Sequence, residues 1–127
     1  MLCICGEGGL VMNIQELATA VEARLPVKVI ILNNGQLGMV RQLQDDYYGG
    51  VRSQVVHTVV PDFVMLARAF DCFGAVVREL SEVGPALDAA LAFDGPALVD
   101  FRIDPEAGIY PIVPLGKGLP DFVECPS

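Results

Sequence analysis

Apolar positions along this chain follow two different rhythms. Leu2-Cys3-Ile4-Cys5 is a short unbroken apolar run stopped by Gly6, the pattern of a parallel strand buried on both faces. Between Met12 and Arg24 the spacing changes. Ile14, Leu17, Ala18 and Val21 recur at i, i+3, i+4 and i+7 and place one apolar stripe along a helix. Asn13 and Glu16 stand at capping-box spacing at its start. Leu25-Pro26 ends it, because proline lacks the N–H donor and disfavours helical geometry in the residue before it. Val27-Lys28-Val29-Ile30-Ile31-Leu32 is rich in β-branched residues and reads as a second buried strand. Strand, helix and strand in this order predict a βαβ unit with parallel strands and a right-handed crossover.

The pattern continues in the same class. Gly35 to Gln44 predicts a turn and a short helix, Asp45-Asp46-Tyr47-Tyr48-Gly49-Gly50 a loop, and 51–60 an extended segment. Pro61 to Phe70 is a helix with Phe63, Leu66, Ala67 and Phe70 on one face. Cys72 to Arg78 is a third strand. Ser81 to Ala92 is a helix capped by Ser81, with Val83, Leu87, Ala90 and Leu91 facing inward. Ala97 to Ile103 is a fourth strand. The fold class is therefore α/β, a parallel sheet flanked by helices, spanning residues 1–104. Residues 105–127 carry Pro105, Pro111, Pro114, Pro120 and Pro126 and form an irregular tail that packs on the domain or on a neighbouring subunit. The first strand opens almost at Met1. This predicts a domain truncated at its N-terminus, with a sheet edge and apolar surface left uncovered.

Composition narrows the partners. With 127 residues and 53% apolar content the chain suits one domain with a real core. A net charge of −8 argues against nucleic acid and acidic membranes. A small anion can still be held by backbone N–H groups and a metal ion. There is no run long enough to span a bilayer, and no basic leader before the first apolar residues. Cys3, Cys5, Cys72 and Cys125 form no C-x-x-C pair, so they read as reduced, mostly buried thiols in a cytoplasmic protein. Met12 and Met39 read as packing residues, Tyr47-Tyr48 as covering either a partner or the local core, and His57 as a surface or packing residue without a role.

Two polar clusters fall at the carboxyl ends of consecutive parallel strands, the edge where open α/β sheets bind ligands. Gly6-Glu7-Gly8-Gly9 follows the first strand and Asn33-Asn34-Gly35 the second. A hard cation such as Mg²⁺ takes oxygen ligands and keeps positions for water and phosphate. Glu7 offers a carboxylate, Asn34 an amide oxygen, and the Gln36 backbone carbonyl a third ligand. Gly8 and Gly9 let the backbone approach a diphosphate, and the N-terminus of the following helix favours its charge.

Gly6-Glu7-Gly8, a gap of 24 residues and Asn33-Asn34 resemble the thiamine-diphosphate motif, whose usual form is Gly-Asp-Gly followed at similar distance by Asn-Asn. The surrounding text is more specific. Met12 to Ala20, Pro26-Val27-Lys28-Val29, Asn33 to Gln42, Pro61-Asp62-Phe63-Val64, Gly95 to Asp100 and Tyr110 to Pro114 resemble the large, catalytic subunit of acetolactate synthase (acetohydroxyacid synthase). The likeness covers nearly the whole chain and is weakest across 45–60. It implies a Rossmann-like thiamine-diphosphate-binding domain.

What the resemblance implies is concrete. Glu7, Asn34 and Gln36 fall on the Mg²⁺ positions. Glu7, Gly8, Gly9, Asn34, Gln36, Leu37, Gly38 and Met39 fall at the cofactor, and Met39, Val40 and Leu43 on the substrate-facing helix. The family decarboxylates pyruvate and joins the two-carbon unit to a second 2-oxo acid, such as 2-oxobutyrate, on the way to isoleucine and valine. It works as a homo-oligomer, with a regulatory small subunit as a further partner. The glutamate that activates the cofactor, and the FAD site, belong to domains of the family that this chain does not contain, so no catalytic residue is assigned here. Two residues depart from the family pattern. Glu7 stands where the family has Asp, one methylene longer. Leu43 stands where many members have Trp, which enlarges the pocket for the second substrate. Other thiamine-diphosphate 2-oxo-acid enzymes, and a non-catalytic remnant acting as an interaction module, are the alternative readings.

Overall fold

Four parallel strands form one sheet in the order β1-β2-β4-β3 in the computed structural model, which describes residues 1–125. The strands are β1 (Leu2–Gly6), β2 (Lys28–Asn33), β3 (Phe73–Val77) and β4 (Ala97–Arg102). Helices α1 (Glu7–Val11) and α2 (Glu16–Glu22) connect β1 to β2. α3 (Gly38–Tyr47) and α4 (Phe63–Ala69) lead from β2 to β3, and α5 (Val83–Ala92) from β3 to β4. The parallel α/β class read from the apolar pattern is the class observed. Pro126 of the tail lies outside the described residues.

Strand alternation builds two cores, one on each face of the sheet. On one face Val29, Ile31 and Leu98 meet Leu10, Leu17, Phe63, Ala67 and Cys72. On the other, Ile30, Val77, Ala97 and Val99 meet Ala90, with Val83, Ala86 and Leu87 of α5 packed against them. α4 is held at its start by Asp62, whose Oδ1 accepts from the Val64 and Met65 N–H groups at 2.9 Å each.

Several expectations are corrected. The single helix predicted from Met12 is two short ones, because the apolar stripe starts earlier, at buried Leu10. Met12 is exposed in the turn between them, and Asn13 closes α1 through a 3.4 Å bond from Nδ2 to the Gly9 carbonyl. α2 therefore has no side-chain cap, and the Asn13–Glu16 capping box does not form. Ser81 sits inside a 3-10 turn, Leu80–Glu82, and caps nothing. The Glu82 carboxylate instead accepts from the Arg78 and Glu79 N–H groups at 2.7 and 3.1 Å. Leu91 points outward, and Ala86 takes the inward place expected of it. The expected loop from Asp45 is in part the last turns of α3. β1 is not buried on both faces. It is an edge strand exposed at every residue except Cys5, which is half-buried. Cys3 and Cys125 are exposed, against the expectation of mostly buried thiols.

Candidate functional site

The site is built at the carboxyl edge of β1 and β2, where Gly6 is in register with Leu32 and the two chains turn away from the sheet together. Glu7 opens α1 and is only 3% exposed. Its Oε1 accepts the Gln36 backbone N–H at 2.9 Å, and Asn34 Oδ1 accepts the same N–H at 3.2 Å. One donor thus holds both candidate ligand oxygens at a single point. Gly35, with φ +72, provides the left-handed turn that allows this. Gln36 is itself buried, and its side-chain amide donates to the Pro105 carbonyl, tying the site to the chain after β4.

Glycine leaves room where side chains of the site come close. A Cβ on Gly38 would lie 2.8 Å from Asn34 Nδ2, and one on Gly8 would lie 3.2 Å from Leu37 Cδ2. Gly9 faces open space, with nothing within 4 Å of a Cβ. Gly8 and Gly9 lie inside α1 rather than in a loop. With five residues, α1 is too short for the extended helix dipole expected at this point.

A buried carboxylate needs compensating charge or several hydrogen bonds. Among the described residues Glu7 is met by the Gln36 N–H and by the His57 imidazole, whose Nε2 lies 4.0 Å from Oε1. That leaves the carboxylate under-compensated. The Asn34 amide oxygen that shares the Gln36 N–H is, like the carboxylate, a hard oxygen ligand, so the residues present fit a Mg²⁺-sized cation bound with a diphosphate. No group of three or more His, Cys, Asp or Glu side chains converges among the described residues, so a cation here would rest on this mixed oxygen set.

A second layer braces the first. Asn33 is buried. Its Nδ2 donates to Asp100 Oδ1 at 2.9 Å, and its Oδ1 accepts the Gly35 N–H at 3.1 Å. Asp100 is 1% exposed and pairs with Arg102 Nη2 at 2.8 Å. Asp100, Arg102 and His57 were not singled out as functional in the sequence. The available signal was a carboxylate inside the apolar run Ala97-Leu98-Val99-Asp100-Phe101.

α3 is amphipathic with its polarity reversed. Met39 (58% exposed) and Val40 face outward, and Leu43 is half-buried, while Arg41 and Gln42 are buried. Met39 and Met12 are therefore not packing residues. The inward polar groups hold the tail. Arg41 donates to the Glu106 and Ala107 carbonyls at 3.3 and 3.0 Å. Gln42 exchanges bonds with the Ile109 backbone, accepting at 2.7 Å and donating at 3.3 Å. Tyr47 Oη accepts the Leu115 N–H at 2.9 Å, so this tyrosine serves the local fold. Arg52 bridges Asp45 and Glu106 with contacts of 2.8 to 3.0 Å. Hydrogen bonds from Arg52, and its charge, hold both carboxyls below their ordinary range. No helix among the described residues is long and apolar enough to cross a membrane.

Glu7, Gly8, Asn34, Gln36, Leu37 and Gly38 are thus gathered at one edge, and Met39, Val40 and Leu43 extend from it along α3. The comparisons with known proteins agree with this placement of the fold. The chain is 40% identical over 124 residues to the acetolactate synthase isozyme 2 large subunit of Escherichia coli K12, covering 98% of this chain and 23% of that protein. It is 37% identical over 125 residues to a probable acetolactate synthase large subunit of Methanococcus aeolicus, covering 98% and 21%. Among solved structures it is similar to the thiamine diphosphate-dependent 4-hydroxybenzoylformate decarboxylase of Rhodococcus jostii RHA1, with a TM-score of 0.73 and 31% identity over 81% of this chain and 19% of that one. The chain therefore spans about a fifth of the length of these relatives. Residues 1–101 match the family described as thiamine pyrophosphate enzyme, C-terminal TPP binding domain, and the chain belongs to that family.

Proposed function

We propose that this chain supplies the diphosphate–Mg²⁺ half-site of a thiamine-diphosphate-dependent acetolactate synthase, an enzyme that decarboxylates pyruvate and joins the two-carbon unit to a second 2-oxo acid. The observation that carries the reading is the convergence of buried Glu7 Oε1 and Asn34 Oδ1 on one N–H, that of Gln36. Glu7, Asn34 and the Gln36 carbonyl hold the cation. Gly8, Gly9, Leu37, Gly38 and Met39 border the diphosphate. Met39, Val40 and Leu43 face the 2-oxo acid. Bound thiamine diphosphate supplies the carbanion-stabilising chemistry, and these residues grip and orient it. Residues 1–104 form the binding unit, and 105–127 are the Pro-rich tail that packs on the domain or on a neighbouring subunit; Glu106, Ala107, Ile109 and Leu115 of that tail meet α3. The activating glutamate, and FAD where it is used, come from parts of the enzyme outside this chain. The assembled enzyme is a cytoplasmic homo-oligomer, and the large-subunit names of the relatives support a regulatory small subunit as partner.

A second reading, a 2-oxo-acid decarboxylase, draws on the Rhodococcus jostii similarity and on Leu43, a smaller side chain than the Trp that many acetolactate synthases resembled by this chain carry there. Product analysis of the assembled enzyme fed pyruvate separates the two, as acetolactate or free aldehyde. The half-site itself is tested by calorimetric titration of the chain with thiamine diphosphate, with Mg²⁺ or with a chelator. Mg²⁺-dependent binding is expected, weakened about 10- to 100-fold by Glu7→Ala. Absence of such binding in both the wild type and Glu7→Asp would overturn the reading.

A further inference from the structure

His57 is the only histidine of the chain, and it faces the buried carboxylate of the half-site. Its position is built rather than incidental. The Leu37 N–H donates to the Val55 carbonyl at 2.8 Å, and the His57 N–H donates to the Gly35 carbonyl at 2.9 Å. Gln36 and Val56 form an antiparallel bridge between these two bonds, and the Val55 side chain is buried. Residues 35–37, which carry the site's backbone, are thus paired with 55–57. The pairing delivers the imidazole to Glu7.

The spacing is informative. His57 Nε2 lies 4.0 Å from Glu7 Oε1. That is too long for a hydrogen bond. Two ligand atoms on one octahedral cation with bonds of about 2.1 Å lie about 3.0 Å apart when adjacent and about 4.2 Å apart when opposite. The observed separation is close to the opposite value, with room for a cation between Glu7 Oε1 and His57 Nε2. The ring is 32% exposed on its side chain, so it can adjust without opening the core. Imidazole is a borderline donor that favours Co²⁺ and its neighbours, whereas carboxylate, amide and carbonyl oxygens suit Mg²⁺.

We propose that His57 Nε2 shares with Glu7 the divalent cation of this site, and that it shifts the site's preference from Mg²⁺ toward borderline cations such as Co²⁺. The proposal rests on the half-site reading above. Pulsed EPR of the chain loaded with Mn²⁺ and thiamine diphosphate tests ligation directly. Because there is one histidine, labelling with ¹⁵N-histidine marks a single candidate ligand. A nitrogen modulation that changes from the ¹⁴N to the ¹⁵N pattern on labelling and disappears in His57→Ala is expected. In parallel, competition titrations should show Co²⁺ affinity falling about 10-fold or more in His57→Ala, and Mg²⁺ affinity much less. His57→Asn, which keeps a polar group without the imidazole, should behave as His57→Ala. Mn²⁺ binding that needs Glu7 but carries no histidine nitrogen signal, or a Co²⁺ to Mg²⁺ ratio unchanged in His57→Ala, would overturn the role of His57 and leave the half-site standing. Absence of any Mn²⁺ binding sensitive to Glu7→Ala would overturn both.

Discussion

At the level of single residues, the proposed half-site depends on glycines as much as on its candidate ligand atoms. Gly38 opens α3 with its Cα pressed toward the Asn34 amide, and an added methyl would stand 2.8 Å from Asn34 Nδ2. Gly38→Ala must therefore push the Asn34 side chain away from the point it shares with Glu7. The expected outcome is a loss of about 10-fold or more in Mg²⁺-dependent thiamine diphosphate affinity, with an unchanged circular dichroism spectrum. Calorimetry on the purified variant checks it, and wild-type affinity would mean that Asn34 is not held in this pose when the cofactor binds. Gly84→Ala, on α5 and away from the half-site, is the natural control, because its Cβ would meet nothing within 4 Å. The first layer of the site was legible in the sequence because its members lie within short motifs, Gly6 to Gly9 and Asn33 to Gly38. The brace and the imidazole were not. Asn33 meets Asp100 across 67 positions of chain, and His57 reaches Glu7 only through backbone pairing that no side-chain pattern announces. The candidate ligands stand in the sequence, but the contacts that aim them are made by the fold.

At the level of elements, α3 shows why the helices were read less well than the strands. β2 and β4 are apolar runs with one dominant signal, and each observed boundary lies within one residue of the expected one. α3 buries Arg41 and Gln42 and exposes Met39 and Val40, so a rule that turns apolar residues inward misplaces its faces. The reversal is supported by hydrogen bonds, since the tail supplies carbonyls for the Arg41 Nη2 and a backbone partner for Gln42, although the buried Arg41 Nε has no partner among the described residues. Arg52 extends this latch by joining Asp45 of α3 to Glu106 after β4. Both carboxyls are lowered in the fold, first by hydrogen bonds from Arg52 and then by its charge. A lowered carboxyl stabilises the folded state above its ordinary value, near 4 for Asp and Glu, and that stabilisation is lost as pH falls through the folded value. The melting temperature of Arg52→Ala should therefore lie below that of the wild type at neutral pH. The gap should narrow as the pH drops below about 4. Thermal melts of both proteins from neutral to acid pH measure it, and a gap that stays constant would mean that the latch adds no pH-dependent stability. The effect will be modest, because the cluster is open to solvent.

At the level of the whole molecule, one edge strand of the sheet has both faces covered and the other does not. β3 is covered by α4 on one face and α5 on the other, while β1 is an open edge. Leu2 and Ile4 alternate onto the face that carries α5 and remain exposed, Ile4 at 62%. The edge has none of the usual protections. It holds no lysine, no proline and no bulge, only Leu2-Cys3-Ile4-Cys5-Gly6, and no second strand among the described residues pairs with its outer row of backbone donors and acceptors. Such a strand pairs with extended segments it meets, and in a solution of this chain the bare β1 of another copy is one that can pair with it symmetrically. Sedimentation of the 127-residue chain should accordingly show association that grows with concentration, despite the net charge of −8. A charge placed on the edge opposes that pairing without touching the core. Ile4→Lys should lower the association about 10-fold or more while leaving the melting temperature of the dilute protein nearly unchanged, because surface substitutions away from packed sites stay within about 0.5 kcal/mol. Thr58→Lys, on an exposed loop residue, supplies the control for net charge alone. Equal association in Ile4→Lys and the wild type would show that the open edge is not where copies meet. Equal suppression by both lysines would assign the effect to total charge rather than to β1. Suppression by Ile4→Lys alone would establish that the sheet's growth direction, and not its net charge, decides whether this chain stays single.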